Sequence, residues 1–281
     1  MKKSERIENA LKCPICKSSM TFEDKGCGVL YCNGAKRHLY DFSASGYVNL
    51  APPSQSNGGD AKSAVRARTA FLNTGHYAPI SQKLCDIVEK YCPEHSVVID
   101  AGCGEGYYSE NILKRSFSVF GFDLSKYAVE YAAKRAKNTD PQNSFFAVAS
   151  VFALPLENNS ANAVVNVFAP CVEEEYSRVL SEDGVLIVAY AGKEHLLGLK
   201  RAIYDNTHFN DERADLPQNM KLVESEELKY KITVSGNDNI KNLFAMTPYY
   251  WRTSKNDIEK LNLVEEIDTE IDIIFSVYKK I

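Results

Sequence analysis

The sequence contains no apolar run near the roughly 20 residues that a membrane-spanning helix needs; runs such as Val185-Leu186-Ile187-Val188-Ala189 have the length of a strand. A helical membrane protein is excluded. The first residues, Met-Lys-Lys-Ser-Glu-Arg-Ile-Glu, hold no apolar signal core, so the chain is expected to be cytoplasmic, with its thiols reduced and no disulfides. Glycine and proline are ordinary at 15 and 10 of 281 residues, and there is neither an internal repeat nor a low-complexity tract. Collagen-like, coiled-coil and disordered chains are thereby excluded. Neither sign of charge dominates, since 33 Lys and Arg meet 37 Asp and Glu for a net charge of −4.

What is present is unevenly spread. Residues 1–75 carry a net charge of +5 and the remainder −9, so a polyanionic partner would meet the start of the chain first. Four of the eight cysteines, Cys13, Cys16, Cys27 and Cys32, fall within the first 32 residues. Cys13-Pro14-Ile15-Cys16 puts two thiolates on one tight turn, and Cys32 and His38 follow. Two sulfurs from one turn and two further ligands from another make the closed tetrahedral shell of a structural zinc ion, with Cys27 as the rival for the fourth place. A small module with few aliphatic residues needs such a staple to fold. Ala51-Pro-Pro-Ser-Gln-Ser-Asn-Gly-Gly-Asp60 consists almost wholly of turn residues, which sets a boundary near residue 50: a zinc module over 1–50 and a larger domain over 51–281.

Beyond the linker, strand and helix alternate. Strand patterns at 97–100, 119–123, 144–149, 163–168, 185–190, 228–234 and 271–278 are separated by helical stretches, with Ser125 placed to cap the one at 126–137. Such alternation demands crossover connections, hence an α/β, doubly wound, mostly parallel, seven-stranded, Rossmann-like sheet. The first strand of this set runs into Gly102-Cys103-Gly104-Glu105-Gly106. Alternate glycines let the backbone approach a compact ligand, and the spacing is not the G-x-G-x-x-G of dinucleotide sites. Asp100 or Glu105 can meet an ammonium group. Asp123, ending the next strand, can accept from both hydroxyls of a ribose, and Ser150 with the backbone of Val151 can bond an adenine edge. Isolated Cys103 and Cys171 read as buried apolar residues.

Loop, second-strand acid and the later Leu180-Ser-Glu-Asp-Gly184 turn resemble a class I S-adenosylmethionine-dependent methyltransferase. A closer resemblance lies in the union of Cys13-Pro-Ile-Cys16, Cys32 and His38 with Gly46-Tyr-Val-Asn-Leu50, Ala67-Arg-Thr-Ala-Phe-Leu72, Gly75-His-Tyr77, Gly102–Tyr108, Ala169-Pro-Cys171, His195-Leu196 and Met246-Thr-Pro248. These look like the bacterial 23S ribosomal RNA (guanine-N1)-methyltransferases over nearly the whole chain. The resemblance implies zinc on Cys13, Cys16, Cys32 and His38. It implies S-adenosylmethionine against Tyr77, Gly104, Glu105 and His195, a hairpin of 23S ribosomal RNA as substrate, and a homodimer. Phe168 stands where the family carries a Tyr.

Guanine N1 is protonated at neutral pH, so a base or acceptor must take that proton as the methyl group arrives. His195, His76, Asn166 and the carbonyls of Ala169 and Pro170 are candidates, and no catalytic base is assigned. Tyr249, Tyr250 and Trp251 are candidates for stacking on the target, and Lys36, Arg37, Arg66 and Arg68 for phosphate contacts. Two alternatives stand beside this reading. One is a small-molecule methyltransferase, which the overall acidity favours and the basic first quarter opposes. The other is a catalytically silent zinc-dependent RNA-binding protein, which the complete glycine loop opposes.

Overall fold

The computed structural model describes residues 2–52, 59–211 and 213–281; most of the predicted linker lies outside them. A helix α1 (Lys3–Ala10) leads into a small antiparallel sheet of β1 (Met20–Glu23), β2 (Val29–Cys32) and β3 (Leu39–Asp41). The chain then adds β4 (Tyr47–Asn49), α2 (Lys62–Leu72) and α3 (Ala78–Tyr91) before the alternating part begins. That part runs β5 (Val97–Ala101), α4 (Tyr107–Leu113), β6 (Ser118–Asp123), α5 (Lys126–Thr139), β7 (Ser144–Val148) and β8 (Ala161–Val167). It continues through α6 (Glu173–Val179), β9 (Leu180–Ala191), α7 (Leu197–Ile203), β10 (Lys221–Ser235), α8 (Asn237–Ala245), α9 (Lys255–Lys260) and β11 (Glu266–Lys279).

The large sheet has the order β10-β11-β9-β8-β5-β6-β7-β4. It is eight-stranded, not seven-stranded. The added strand is β4, whose Tyr47, Val48 and Asn49 pair in parallel with Phe146, Ala147 and Val148 of β7. Three residues before the linker show no visible alternation, and the predicted boundary near residue 50 leaves them in the zinc module. Within the large sheet β11 pairs antiparallel with both its neighbours, and the remaining pairs are parallel. The chain steps outward from β5 to β6 and β7, then returns to place β8 on the other side of β5. This reversal opens a crevice at the carboxyl ends of β5 and β8, where doubly wound sheets take their ligands.

Successive residues of each strand face opposite sides, and both sides are buried. Val98, Val119, Phe146 and Ile187 pack with α3, α5 and α8 on one face. Ile99, Phe120, Phe145 and Leu186 form the other face, and there they share a single core with Ile7, Leu11, Met20, Leu30 and Phe42 from the first 50 residues. Phe42 is the joint. Its ring meets Phe22 at 5.5 Å and Phe145 at 6.1 Å, both edge to face. Backbone pairing crosses the same seam, at Leu11 with Leu156. The predicted cap of α5 is present, Ser125 Oγ accepting from the N–H of Ala128 at 3.3 Å, and Ala132 and Ala136 keep that helix close to the sheet.

Candidate active site and metal centre

At the end of β5 the chain turns sharply. Gly102 has φ +82°, and a Cβ there would stand 2.5 Å from Cβ of Ala169 on the loop after β8. Gly106 has φ +81°, and its Cβ would stand 2.7 Å from Ala132 of α5. Only glycine gives both the left-handed backbone and the close approach. The N–H groups of Gly102 and Cys103 donate to the carbonyl of Phe122 at 2.8 and 3.0 Å, which locks the turn onto β6. Cys103 is buried and free, as expected.

Three carboxylates surround this turn. Asp100 is buried, accepts from Ser109 Oγ at 2.5 Å, and has its pKa pushed up to about 7 by burial against that hydrogen bond. Asp123 accepts from the N–H of Gly104 at 3.1 Å and of Ser125 at 2.7 Å, yet burial raises its pKa. Glu105 is 1% exposed and neither of its carboxylate oxygens has a hydrogen-bond partner. Its pKa is raised by burial, against the charges of Arg135 and Arg68. The Arg135 guanidinium lies 3.2 Å away and also serves Glu110. A buried carboxylate ion-paired on one side with Arg135 and without a hydrogen-bond donor, beside a glycine turn and with an acid ending the next strand, fits the ammonium and ribose of S-adenosylmethionine.

Across the crevice lie Tyr77, preceding α3, and His195, preceding α7. The N–H of Asp272 donates to His195 Nδ1 at 3.4 Å, and His195 Nε2 lies 3.3 Å from the Tyr77 hydroxyl. Burial lowers the His195 pKa to about 3, so the ring is neutral, with Nδ1 accepting and the proton on Nε2. That arrangement leaves His195 no free lone pair with which to act as a base. The Phe168 ring stacks on it at 6.0 Å and 17°. Phe168 has φ +53° and is 42% exposed. A bulky residue in left-handed backbone is strained, and such strain gathers at functional sites.

The loop after β8 is held from several sides. Buried Asn166 donates through Nδ2 to the carbonyl of Pro170 at 2.9 Å, to which Tyr176 also donates at 3.0 Å. Arg213 Nη2 donates to the carbonyl of Ala169 at 2.6 Å, and Asp215 accepts from the N–H of Cys171 at 2.8 Å while pairing with Arg213. Asn166 and both carbonyls, candidates for the guanine proton, are thus engaged in fixing this loop. His76 is stacked on Phe71 at 5.6 Å. Ser150 Oγ accepts from the N–H of Phe152, Val151 is buried, and the Phe152 ring is exposed. Tyr249 and Tyr250 pack on Phe244, whereas Trp251 is 67% exposed. Arg66, Lys36 and Arg37 lie on the surface. The role of the Arg213–Asp215 pair carried no sequence signal, because the loop atoms it holds, the carbonyl of Ala169 and the N–H of Cys171, lie 44 residues away along the chain.

In the small sheet, Cys13, Cys16, Cys32 and His38 bring their ligand atoms within 4.8 Å of one another. The sulfurs of Cys16 and Cys32 are 3.5 Å apart, and His38 Nδ1 lies 3.3 Å from Cys32 and 3.6 Å from Cys13. Around a tetrahedral zinc the ligand edges are about 3.5 to 3.8 Å, given Zn–S and Zn–N bonds near 2.3 and 2.0 Å. The donor set fits zinc. Cys27, the rival ligand, is exposed and outside this group.

Residues 93–247 match a methyltransferase domain family. The chain is 30% identical over 268 residues to the 23S rRNA (guanine(748)-N(1))-methyltransferase of Streptomyces fradiae, covering 91% of each chain. This chain belongs to the 23S rRNA (guanine-N1)-methyltransferase family. A putative family member from Bacillus subtilis is 26% identical, over 93% of this chain and 94% of its own. In fold alone the chain is also similar to the YcgJ protein of Bacillus subtilis, with a TM-score of 0.50 and 17% identity over 72% of this chain and 98% of that one.

Proposed function

We propose that this protein transfers the methyl group of S-adenosylmethionine to N1 of a guanine in a hairpin loop of 23S ribosomal RNA. The observation that carries the reading is the extent of the match to the Streptomyces fradiae enzyme, 91% of both chains. It reaches beyond the methyltransferase domain at 93–247. A small-molecule methyltransferase would account for that domain alone. The close-packed glycine turn, with Asp123 at the end of the next strand, speaks against a silent RNA-binding protein.

The cofactor supplies a methyl group already activated on a sulfonium, so the chain's task is positioning. In this reading Asp123 accepts from the ribose hydroxyls, Ser150 and Val151 meet the adenine edge, Gly102 and Gly104 let the backbone close in, and Glu105 takes the ammonium. Tyr77, held by His195, borders the methionine arm. The target base must leave its stack to reach the crevice, and Phe168, exposed and backed by His195, is the aromatic surface waiting at the carboxyl end of β8. Zinc on Cys13, Cys16, Cys32 and His38 would fix the small sheet that presents Lys36 and Arg37 to phosphates. A cytoplasmic homodimer completes the reading, supported by the family likeness and by exposed Ile15 and Leu39 on the small module. Sedimentation of the purified protein tests the dimer.

Incubation with methyl-labelled S-adenosylmethionine and undermethylated 23S RNA, followed by digestion and mass spectrometry, tests the reaction. Labelled 1-methylguanosine is expected. Label on another nucleoside, or on none, removes the guanine-N1 assignment.

A further inference from the structure

Helix α2 carries two arginines that the sequence alone treats alike, as phosphate contacts. The fold separates them. Arg66 is exposed, whereas the Arg68 side chain turns inward and is 26% exposed. Its Nη2 lies 2.6 Å from the carboxylate of Asp60, and its Nη1 lies 3.7 Å from the point where a Cβ on Gly104 would stand. Asp60 is itself tied to the crevice, since Ser125 Oγ donates to its carbonyl at 2.7 Å. The guanidinium therefore sits over the second glycine of the loop, near enough for its charge to act on Glu105 in the turn and on Asp123 at the end of β6.

The charges of the crevice give this position its meaning. Asp60, Asp100, Glu105 and Asp123 are all acidic, and the last three are held in surroundings that burial has made poor in water. Such a lining welcomes the ammonium of an amino-acid arm and repels its carboxylate, because like charges interact strongly where the dielectric is low. A ligand bearing both groups needs a cation on the carboxylate side. Arg135 is committed behind Glu105, where it serves Glu105, Glu110 and Asn73. Arg68 faces the glycine turn itself, and a planar guanidinium matches a carboxylate with two parallel hydrogen bonds.

We propose that Arg68 anchors the carboxylate of the methionine arm of S-adenosylmethionine, with Asp60 holding the guanidinium over Gly104. This rests on the crevice being the cofactor site. It makes Arg68 a cofactor-binding residue rather than an RNA contact.

The test compares two ligands that share the adenosine half: S-adenosylhomocysteine, which has the amino-acid arm, and 5′-methylthioadenosine, which lacks it. Calorimetry on the full chain with Arg68→Gln is expected to weaken S-adenosylhomocysteine on the order of 10- to 100-fold and to leave methylthioadenosine within about 3-fold, the scatter expected of a contact not made. Arg68→Lys, which keeps the charge without the fork, is expected to fall between. Equal weakening of both ligands, or of neither, overturns the proposal. So does loss of RNA binding by Arg68→Gln with S-adenosylhomocysteine affinity intact. If the unaltered protein binds neither ligand, the cofactor reading fails and not merely the role of Arg68.

Discussion

The backbone N–H of Asp272 points at Nδ1 of His195 from 3.4 Å, so the proton of the neutral ring lies on Nε2, toward the hydroxyl of Tyr77. An imidazole fixed in this way orients its neighbour instead of shuttling protons. With its pKa lowered to about 3 by burial, His195 contributes stability that is present above its ordinary value and lost as pH falls toward 3. Long-range 15N NMR is expected to show the Nε2–H tautomer and no titration of this ring between pH 5 and 8. A titration midpoint near 6.5 would restore His195 as a candidate base.

Asp100 behaves in the opposite sense. Its folded pKa is raised to about 7, so the stability from its protonated form is present below the ordinary carboxyl range and lost as pH rises through about 7. Asp100→Asn keeps an acceptor for Ser109 without the charge. The variant is expected to gain on the unaltered protein by about 2 to 4 kcal/mol between pH 5 and pH 8.5, measured by denaturant unfolding. A gain that does not change with pH would contradict the shift.

Zinc content gives a separate prediction. Purified protein is expected to hold one zinc per chain, Cys13→Ser or His38→Ala to lose it, and Cys27→Ser to keep it. A colorimetric chelator assay after unfolding reads all of these. Retention of zinc by His38→Ala together with its loss from Cys27→Ser would reverse the choice of fourth ligand.

The shared core on one face of the large sheet predicts that the first 50 residues cannot be removed. Phe42→Ala takes a ring from between Phe22 and Phe145 and is expected to cost about 3 kcal/mol. The fragment 51–281 is expected to bind a hydrophobic dye and to lack a cooperative melting transition. A fragment that melts cooperatively would show that the two segments fold independently.

Arg213 reaches across from the segment before β10 to the carbonyl of Ala169. Arg213→Ala is expected to lower kcat on the order of 10-fold through misplacement of the Phe168–Cys171 loop, while S-adenosylhomocysteine affinity stays within about 2-fold. Unchanged kcat would free the loop from this control.

The alternating core and the cluster of Cys13, Cys16, Cys32 and His38 were legible in the sequence because each rests on local pattern. Apolar runs that close on the acids Asp100 and Asp123 marked β5 and β6, and Cys13 and Cys16 share one turn. Where the cause is non-local, the reading stopped. β4 is three residues long and becomes a strand only because β7 offers it an edge. Phe42 looks like any aromatic in a small module until Phe145 is set against it. Arg68 and Arg66 are two residues apart on one helix, and the fold alone turns one inward and the other outward.

Primer extension on a 23S RNA hairpin, with and without enzyme and S-adenosylmethionine, tests the central claim most directly, because a methyl group on guanine N1 blocks the pairing edge that reverse transcriptase reads. A single cofactor-dependent stop at one loop guanine is predicted. Read-through of every loop guanine, from a protein shown in the same preparation to bind S-adenosylhomocysteine, would contradict it.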